Sequence, residues 1–427
     1  MSSAVISGVG VVSAFGVGSR IFFDSLAQGK SGVGPIRSFD ARHFPVLVAG
    51  EVPVAGIDAD FLKKELGESP GLDSFLAGWS EQGAFRDRKA AFALLAGVEA
   101  WRAARCGPAE RSASVVLALG LEQALLQDFA ACMEEGAISW KKVAAARPPI
   151  SFRTEVDLSA RLLTEWFDLK GPVVVNSSAC AAGTMAVAQA AAMIDRGQAS
   201  IVLCGGADSM VNPLGIGGMS RLGAPSPRAD IDACRPFDRR RDGLVVGEGA
   251  AVFVVEAEEH ARVRGITPLA RVLGWATTQD GYRVTAPRPD GSCARKAMQL
   301  ALKKAGLAPE QVQYINAHGT GTPLNDPAEA RAIRDVFGAH ADKIPVSSIK
   351  GAVGHLMAAS GAIELAACLL AFERDLLPGT CNLKELDPDC PLAVIGPEPR
   401  AAKVDVVLSN SFGFGGQNAS VILGRYS

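Results

Sequence analysis

Residues 171–194 read GPVVVNSSACAAGTMAVAQAAAMI and contain no charged side chain. The length suits a membrane span, but polar residues at 176–178 interrupt the apolar run and Gly171-Pro172 blocks a continuous helix. We therefore predict a β-branched strand over Val173–Val175, a polar turn, and a helix of small residues from about Ala181 to Ile194. A strand without polar alternation is expected to be buried on both faces, and a helix rich in Ala and Gly to pack closely.

Cys180 stands at the start of that predicted helix, directly after the turn. The positive end of a helix dipole favours a thiolate, so this position suits a nucleophile near neutral pH. A cysteine that only fills space would occupy the same position, and the remaining motifs must decide between the two.

The composition is typical of a densely packed α/β enzyme, with 48% hydrophobic residues, 46 glycines and few aromatics. The 427 residues suffice for one large core or two fused domains. A net charge of −2 gives no sign of nucleic-acid binding. The nine cysteines form no CxxC pair and the N-terminus does not resemble a secretory signal, so we expect a reducing, cytoplasmic setting.

Short apolar strands alternate with Ala-rich helices along the chain, which predicts an α/β fold with helices covering buried sheets. The predicted strands are Val5–Ile6, Val115–Leu119, Val173–Val175, Ile201–Cys204, Ala251–Glu256, Leu269–Trp275, Tyr314–Ala317, Ile344–Ser347, Val404–Ser409 and Ala419–Leu423. Besides the helix after Cys180, the predicted helices are Lys89–Ala103, Ala294–Ala305, Ala328–Val336 and Gly361–Phe372.

One order of features occurs twice: a strand, a polar turn with a candidate catalytic residue, and a helix of small residues. VVVNSSACAAGT at 173–184 shows it first, and IPVSSIKGAVGHLMAASG at 344–361 shows it again. A duplicated architecture would have two similar halves joined near residue 257. The alternative is that many strand–turn–helix units look alike.

Two of the five histidines stand out, because His318 and His355 each follow a buried-looking strand in a loop dense in Gly, Thr and Ser. The other three, which are most simply surface residues, are His43, His260 and His340. A lone histidine in such a loop is more often structural. Together with Cys180 and Lys350, however, two neutral imidazoles that donate hydrogen bonds to a developing oxyanion suit acyl transfer through a thioester.

The stretch NSFGFGGQNAS at 410–420 supplies another candidate part of a site. Its glycines bring backbone N–H groups close to a ligand, where they could form an oxyanion hole, and Phe412 and Phe414 could exclude water. The simpler alternative is a Gly-rich loop between two strands. GVGVVS at 8–13 and GGADSM at 205–210 are too incomplete to indicate nucleotide or phosphate binding, and no Cys/His spacing indicates a metal.

The motifs, taken together, make the chain similar to the β-ketoacyl-acyl carrier protein synthases of the thiolase superfamily, especially the type II elongating condensing enzymes. They are NSSACAAGT at 176–184, RPFDRRRDGLVVGEGA at 235–250, NAHGTGTPLNDPAE at 316–329, SSIKGAVGHLMAASG at 347–361 and NSFGFGGQN at 410–418. The resemblance implies a thiolase fold, five-layer αβαβα and built from two similar halves, usually as a homodimer. The half at 1–256 would carry the nucleophile and the half at 257–427 the two histidines.

The resemblance also implies residue roles. Cys180 matches the nucleophile that receives an acyl group, His318 and His355 match the pair that promotes malonyl decarboxylation, and Lys350 matches the lysine that supports the first histidine. The amides of Cys180 and Phe414 match the oxyanion hole, and Phe414 also resembles a gate between the half-reactions. Positions that contact the pantetheine arm are matched by Thr285, Thr320 and Thr322. A supporting polar network is matched by Asn316, Glu364, Asn410 and Ser411.

The implied reaction is ping-pong: an acyl group moves to Cys180, and malonyl-carrier protein then loses carbon dioxide and attacks it. The implied partner is an acyl carrier protein, and no metal or organic cofactor is required. Docking of that acidic partner would suit a basic patch, for which the candidates are Lys63, Lys64, Arg221 and Arg228. Ordinary surface solvation is the alternative for each of them.

Some positions depart from the family pattern. Gln417 replaces the usual Thr after GFGG, Met219 stands where Phe is common, and residues 120–136 read GLEQALLQDFAACMEEG in place of a Gly-rich loop. That segment shapes the acyl pocket in the family, so the sequence leaves open fatty-acid elongation and a specialised polyketide or polyene pathway.

Two other functions fit the sequence less well. A non-catalytic chain-length-factor-like subunit of a ketosynthase heterodimer would generally lack Cys180. A degradative thiolase would need a second reactive cysteine motif near the C-terminal GFGG loop, where none is evident.

Overall fold

A computed structural model of the chain describes residues 3–54, 56–81, 84–120, 131–134, 137–145 and 155–426. Within these ranges the strands are β1 Ala4–Ser13, β2 Gly16–Val17, β3 Gly34–Pro35, β4 Val48–Ala49, β5 Ser114–Leu119, β6 Met133–Glu134, β7 Ala137–Ile138, β8 Val173–Asn176, β9 Ile201–Ser209, β10 Glu248–Ala257, β11 Ala270–Gln279, β12 Tyr314–Asn316, β13 Val346–Ser347, β14 Leu376–Leu377, β15 Arg400–Ala401, β16 Val406–Gly413 and β17 Gln417–Arg425.

The helices of the same ranges are α1 Ser19–Ala27, α2 Ala59–Leu66, α3 Leu72–Glu81, α4 Arg88–Ala103, α5 Trp140–Ala145, α6 Leu158–Phe167, α7 Ala182–Asp195, α8 Pro213–Arg221, α9 Glu258–Val263, α10 Ser292–Ala305, α11 Asn325–Phe337, α12 Lys350–Val353 and α13 Ser360–Glu373. Each strand and helix predicted from the sequence has a counterpart here, displaced by a few residues at its ends. The α/β class is therefore confirmed.

The large sheet has the strand order β13-β12-β16-β17-β11-β1-β10-β9-β5-β8, with β2 beside β1. Two sets of five strands meet where β1 pairs with β11 at Val5 and Ile6. Outward from that joint, each set contains two antiparallel pairings followed by two parallel ones. The two sets therefore share one topology, while the sequence boundary at 257 stays a prediction.

Helices α7 and α13 pack against each other between the two sets of strands. Small residues allow this approach, because a Cβ at Gly183 would lie 2.6 Å from the Ala362 nitrogen and one at Gly361 would lie 2.1 Å from Thr184 Oγ1. On the outer faces, α4 and α6 cover the first set and α10 and α11 the second. The result is five alternating layers, αβαβα.

Strand β1 is longer than the predicted Val5–Ile6, because GVGVVS continues the strand. A Cβ at Gly8 would lie 2.3 Å from the Ala100 carbonyl oxygen, and one at Gly10 would lie 2.0 Å from the Ala96 carbonyl oxygen. These glycines therefore allow α4 to lie directly on the strand.

The expectation that Val173–Val175 is buried on both faces is wrong. Strand β8 ends the sheet, and Val173 keeps 45% of its surface exposed. The apolar run here marks a sheet edge rather than a central strand. No helix in the part of the chain that the structure describes is long and apolar enough to cross a membrane.

Candidate active site

Cys180 lies in a single 3₁₀ turn, Ala179–Ala181, that connects β8 to α7. Ala179 adopts the left-handed region with φ 47°, a strained conformation that makes the change of direction sharp. The thiol is buried and lines a cavity of about 430 Å³. Helix α7 begins just after this turn, at Ala182, so the predicted strand–turn–helix unit is confirmed.

The expectation that position at a helix start would favour the thiolate is wrong. Burial raises the pKa of Cys180 to about 11, against the opposing effects of the Lys350 charge and the Phe414 amide. Loss of solvation therefore outweighs the Lys350 charge and the Phe414 amide. The residue rests as a thiol near neutral pH.

His318 and His355 line the same cavity, with ring centroids 5.4 Å apart and ring planes at 84°. Both side chains are buried, and this burial lowers the pKa of each imidazole well below its usual value. The nearby Lys350 charge lowers both further. Both rings are therefore neutral at physiological pH.

Hydrogen bonds fix the tautomer of each ring. The Lys350 ammonium donates to His318 Nδ1 at 3.2 Å, so that nitrogen must accept. In His355, Nδ1 accepts from the Met357 amide at 3.1 Å and from Ser360 Oγ at 2.7 Å. The proton of each neutral ring consequently resides on Nε2, which makes both rings hydrogen-bond donors at the cavity.

Lys350 forms a buried ion pair with Glu364. Burial raises the pKa of Glu364 to about 7, while Lys350 acts in the opposite direction. Ser411 Oγ donates to Glu364 at 3.3 Å and contacts Thr184 Oγ1 at 2.8 Å. This network holds the ammonium group against His318.

Asn316 and Asn410 lie elsewhere and do not line the cavity. Asn316 donates to Ser409 Oγ at 3.2 Å, and Asn410 accepts from Ser420 Oγ at 2.8 Å. Asn316 therefore contacts strand β16, whereas Asn410 also donates to Glu329 Oε1 at 3.4 Å, the oxygen that accepts the His318 amide.

The stretch 410–420 forms two strands joined by a tight turn, because β16 runs to Gly413 and β17 begins at Gln417. A Cβ at Gly413 would lie 3.0 Å from the Cys180 nitrogen, so a glycine lets the turn pack against Cys180. The Phe414 amide faces the thiol and stabilises its ionised form. Phe412 lies edge-on to His318 at 5.8 Å, and both phenylalanines line the cavity.

Thr285, Thr320 and Thr322 also line the cavity, with the hydroxyls of the latter two 2.8 Å apart.

The four basic candidates for docking do not form one patch at the cavity. Lys63 and Lys64 line a separate surface cavity, where Lys63 pairs with Asp73 at 2.7 Å. Arg228 pairs with Asp242 at 2.6 Å, and Arg221 directly precedes Leu222; Asp242 and Leu222 both line the cavity, so these two arginines lie beside it.

Two buried carboxylates on α11 were not predicted as parts of the site. Asp326 accepts the amides of Thr320 and Gly321. Glu329 accepts the amides of His318 and Gly319, each at 2.8 Å. The sequence did contain a signal for them. Two acidic residues three positions apart at the start of a helix lie on one face, and here that helix directly follows a Gly/Thr loop. Among the described residues, no group of side chains has the composition of a metal site.

Family models for the beta-ketoacyl synthase N-terminal and C-terminal domains match residues 1–261 and 269–384. The 3-oxoacyl-[acyl-carrier-protein] synthase 2 of Coxiella burnetii is 37% identical, over 99% of this chain and 98% of the relative. The tetracenomycin polyketide synthase ketoacyl synthase alpha subunit of Streptomyces glaucescens is 35% identical, over 99% of this chain and 96% of the relative.

Solved structures show the same architecture. A beta-ketoacyl synthase from Burkholderia phymatum has a TM-score of 0.83 at 32% identity, covering 100% of both chains. A type II PKS acyl-carrier protein in complex with its ketosynthase, bound to the hexaketide, gives a TM-score of 0.85 at 29% identity, covering 99% of both chains. The predicted thiolase fold is confirmed.

Proposed function

The chain belongs to the β-ketoacyl synthase family, and on that premise we propose that it condenses an acyl thioester with malonyl-acyl carrier protein. The product is a 3-oxoacyl thioester two carbons longer. The observation that carries this proposal is one cavity lined by a buried thiol and two neutral imidazoles. Such a set suits covalent acyl transfer followed by reaction of an enolate.

In the first half-reaction the Cys180 sulfur attacks the thioester carbonyl of the acyl donor. A bond from sulfur to the acyl carbon forms, the bond to the carrier sulfur breaks, and the thiol proton goes to the departing carrier thiolate, which leaves as a thiol. The amides of Cys180 and Phe414 stabilise the negative oxygen of the tetrahedral intermediate. Because the pKa of Cys180 is about 11, proton loss accompanies attack.

In the second half-reaction the carbon–carbon bond to the malonyl carboxylate breaks and carbon dioxide leaves. The electron pair passes to the thioester oxygen as an enolate, which the Nε2–H groups of His318 and His355 stabilise. The enolate carbon then attacks the acyl carbonyl. The bond to Cys180 breaks, and the sulfur takes a proton from solvent.

The neutral state of both rings is important for this step. A cationic imidazole would readily protonate the enolate carbon and divert the reaction to an acetyl thioester. A neutral ring donates a hydrogen bond and keeps its proton. Burial and the Lys350 charge, which hold both pKa values low, therefore protect the carbanion.

The partner in both half-reactions is an acyl carrier protein, in line with the carrier-protein complex of the solved relative. A second subunit, a copy of this chain or a chain-length-factor-like protein, would pair along β8. Within the described ranges that strand ends the sheet with Val173 exposed, and an open strand edge favours addition of another strand. The thiol and both histidines, all present here, argue against a purely non-catalytic subunit.

Mass spectrometry of the intact protein tests this function. The enzyme is exposed to a panel of acyl-carrier proteins and then to malonyl-carrier protein. We expect the added acyl mass to map to Cys180 and to disappear as a 3-oxoacyl product forms, with the preferred chain length identifying the starter. Full condensation by Cys180→Ala, or no acylation by any donor, would refute the proposal.

A further inference from the structure

Asp208 is a buried carboxylate near the site that the reaction above leaves without a role. It stands near the end of β9, within GGADSM, and is 1% exposed. Its Oδ2 accepts the Ala358 amide at 2.8 Å, and its Oδ1 accepts the Ser209 amide at 2.8 Å. Since Asp208 does not line the cavity, it can act on the reaction only through these contacts or through its charge.

The Ala358 amide belongs to the short turn Met357–Ala359 that follows His355. Met357 has φ 44°, a left-handed conformation that costs free energy in a residue other than glycine. The amide of this same Met357 donates to His355 Nδ1 and so fixes the tautomer of that ring. Asp208 therefore binds the strained turn one residue beyond the amide that orients His355.

The packing around Asp208 leaves its carboxylate little freedom. A Cβ at Gly120 would lie 2.3 Å from Asp208 Oδ1, so the glycine makes room for the carboxylate. A Cβ at Gly206 would lie 3.1 Å from both the Ala358 oxygen and the Ala359 Cα. Residues of β9 therefore fix the turn in two ways: the Asp208 carboxylate binds the Ala358 amide, and the backbone of Ala358 and Ala359 packs against Gly206.

The charge on Asp208 acts on the site as well. Burial raises the pKa of Asp208 to about 6, while the Ala358 amide and the Lys89 ammonium oppose that rise. Lys89 is itself buried and paired with Asp87 at 2.6 Å. At neutral pH the ionised Asp208 raises the pKa of Cys180. One residue thus contacts the turn of the imidazole and opposes ionisation of the nucleophile.

We propose that Asp208 is a positioning residue of the condensing site, which holds the Met357–Ala359 turn so that His355 directs Nε2–H into the cavity. This inference rests on the proposed function. The effect of Asp208 on decarboxylation depends on its hydrogen bonds, whereas its effect on the thiol depends on its charge. The two effects can therefore be measured separately.

Two variants separate these effects. Asp208→Asn keeps the shape but removes the charge, and its amide group cannot accept from both Ala358 and Ser209. Gly120→Ala keeps the charge but displaces the carboxylate. Asp87→Asn is the matched control, since it removes a buried charge from the same cluster without a contact to the turn.

The measurements are decarboxylation of malonyl-loaded acyl carrier protein and alkylation of Cys180 by iodoacetamide, with melting curves for each variant. For Asp208→Asn we expect slower decarboxylation by roughly tenfold, since a misplacement of about 1 Å can cost a factor of about 100. Its alkylation should become faster. Gly120→Ala should slow decarboxylation without faster alkylation, and Asp87→Asn should change only the melting temperature.

Wild-type decarboxylation in both Asp208→Asn and Gly120→Ala would overturn the proposal, as would losses that merely follow the folded fraction in all three variants. If Asp208→Asn does not fold, Gly120→Ala decides alone, because it tests the position of the carboxylate. A wild-type enzyme that does not decarboxylate the malonyl group would instead refute the proposed function itself, whereas the alkylation rates would still report the charge of Asp208.

Discussion

The unit β8–Cys180–α7 and the unit β13–His355–α13 occupy equivalent places in the two sets of strands. Each starts from the outermost strand of its set and ends in a helix of the central layer. The first turn takes only residues 177–181 and carries one thiol. The second takes residues 348–359 and carries Lys350 and His355. One architecture thus holds the proposed nucleophile and the groups proposed to stabilise the enolate.

The two units differ in burial. The edge of β13 is covered, because the Val346 amide donates to Ala393 at 3.1 Å and the Ile395 amide donates to Val346 at 2.8 Å. No strand covers β8 in the described ranges, where the sheet ends at this strand. The second turn can therefore hold a buried ion pair away from water, while the first lies beside a surface open to a partner.

The largest effect is expected from breaking the ion pair of the second unit. Lys350→Met leaves Glu364 buried and unpaired, which should lower the free energy of unfolding by about 3–5 kcal/mol. The double variant Lys350→Met/Glu364→Leu should recover most of that loss but not decarboxylation, because His318 Nδ1 has lost its donor. Urea denaturation and decarboxylation rates provide the measurements.

The control for that pair is Lys304→Met, which breaks the half-exposed pair with Asp195 at 3.3 Å. It should cost less than about 1 kcal/mol. If Lys350→Met were no more destabilising than Lys304→Met, the buried pair would not hold the second turn.

The next effect contrasts the two edge strands. Val346→Ala removes buried methyl groups and should cost about 1–3 kcal/mol of unfolding free energy. Val173→Ala lies at the exposed edge and should change the free energy of unfolding of one protomer by less than about 0.5 kcal/mol. On the proposed pairing along β8, Val173→Asp should additionally weaken association with the second subunit, measured by sedimentation. Equal destabilisation by the two alanine variants would remove the distinction between covered and open edges.

The smallest effect concerns the ionisation of the nucleophile. Because its pKa is about 11, the thiolate fraction of Cys180 should increase about tenfold per pH unit through neutral pH. Iodoacetamide alkylation should therefore keep accelerating from pH 7 to 9.5, as followed by peptide mass spectrometry. A plateau below pH 8 would show that the helix dipole and Lys350 outweigh burial.

The sequence was a good guide wherever a local pattern determines structure. Apolar runs predicted the strands, and glycines and alanines predicted the close central helices, because chain geometry and packing act through neighbouring residues. The exposure of Val173 could not be predicted in this way, since it depends on which strand ends the sheet. The raised pKa of Cys180 likewise depends on burial by distant segments.

The sequence predicted the candidate reacting groups of the site better than the residues that hold them in place. Cys180, His318, His355 and Lys350 lie in motifs, and the structure brings them to one cavity or beside it. Asp208 contacts the turn after His355 from a strand 150 residues away along the chain, and no spacing in the sequence indicates that contact. Ser360, by contrast, lies five residues after His355 within the same motif. Lys63 and Lys64 suggested a docking patch by charge alone, whereas the fold places them at a surface cavity separate from the one that Cys180 lines.

We propose that the thiol performs acyl transfer while two neutral imidazoles perform decarboxylation. Decarboxylation of malonyl-acyl carrier protein by Cys180→Ala, alone and combined with His318→Ala and His355→Ala, separates the two roles. Cys180→Ala should still release carbon dioxide, and loss of the histidines should abolish the release. Decarboxylation that vanishes with the thiol alone, or that survives without both imidazoles, would contradict this proposal.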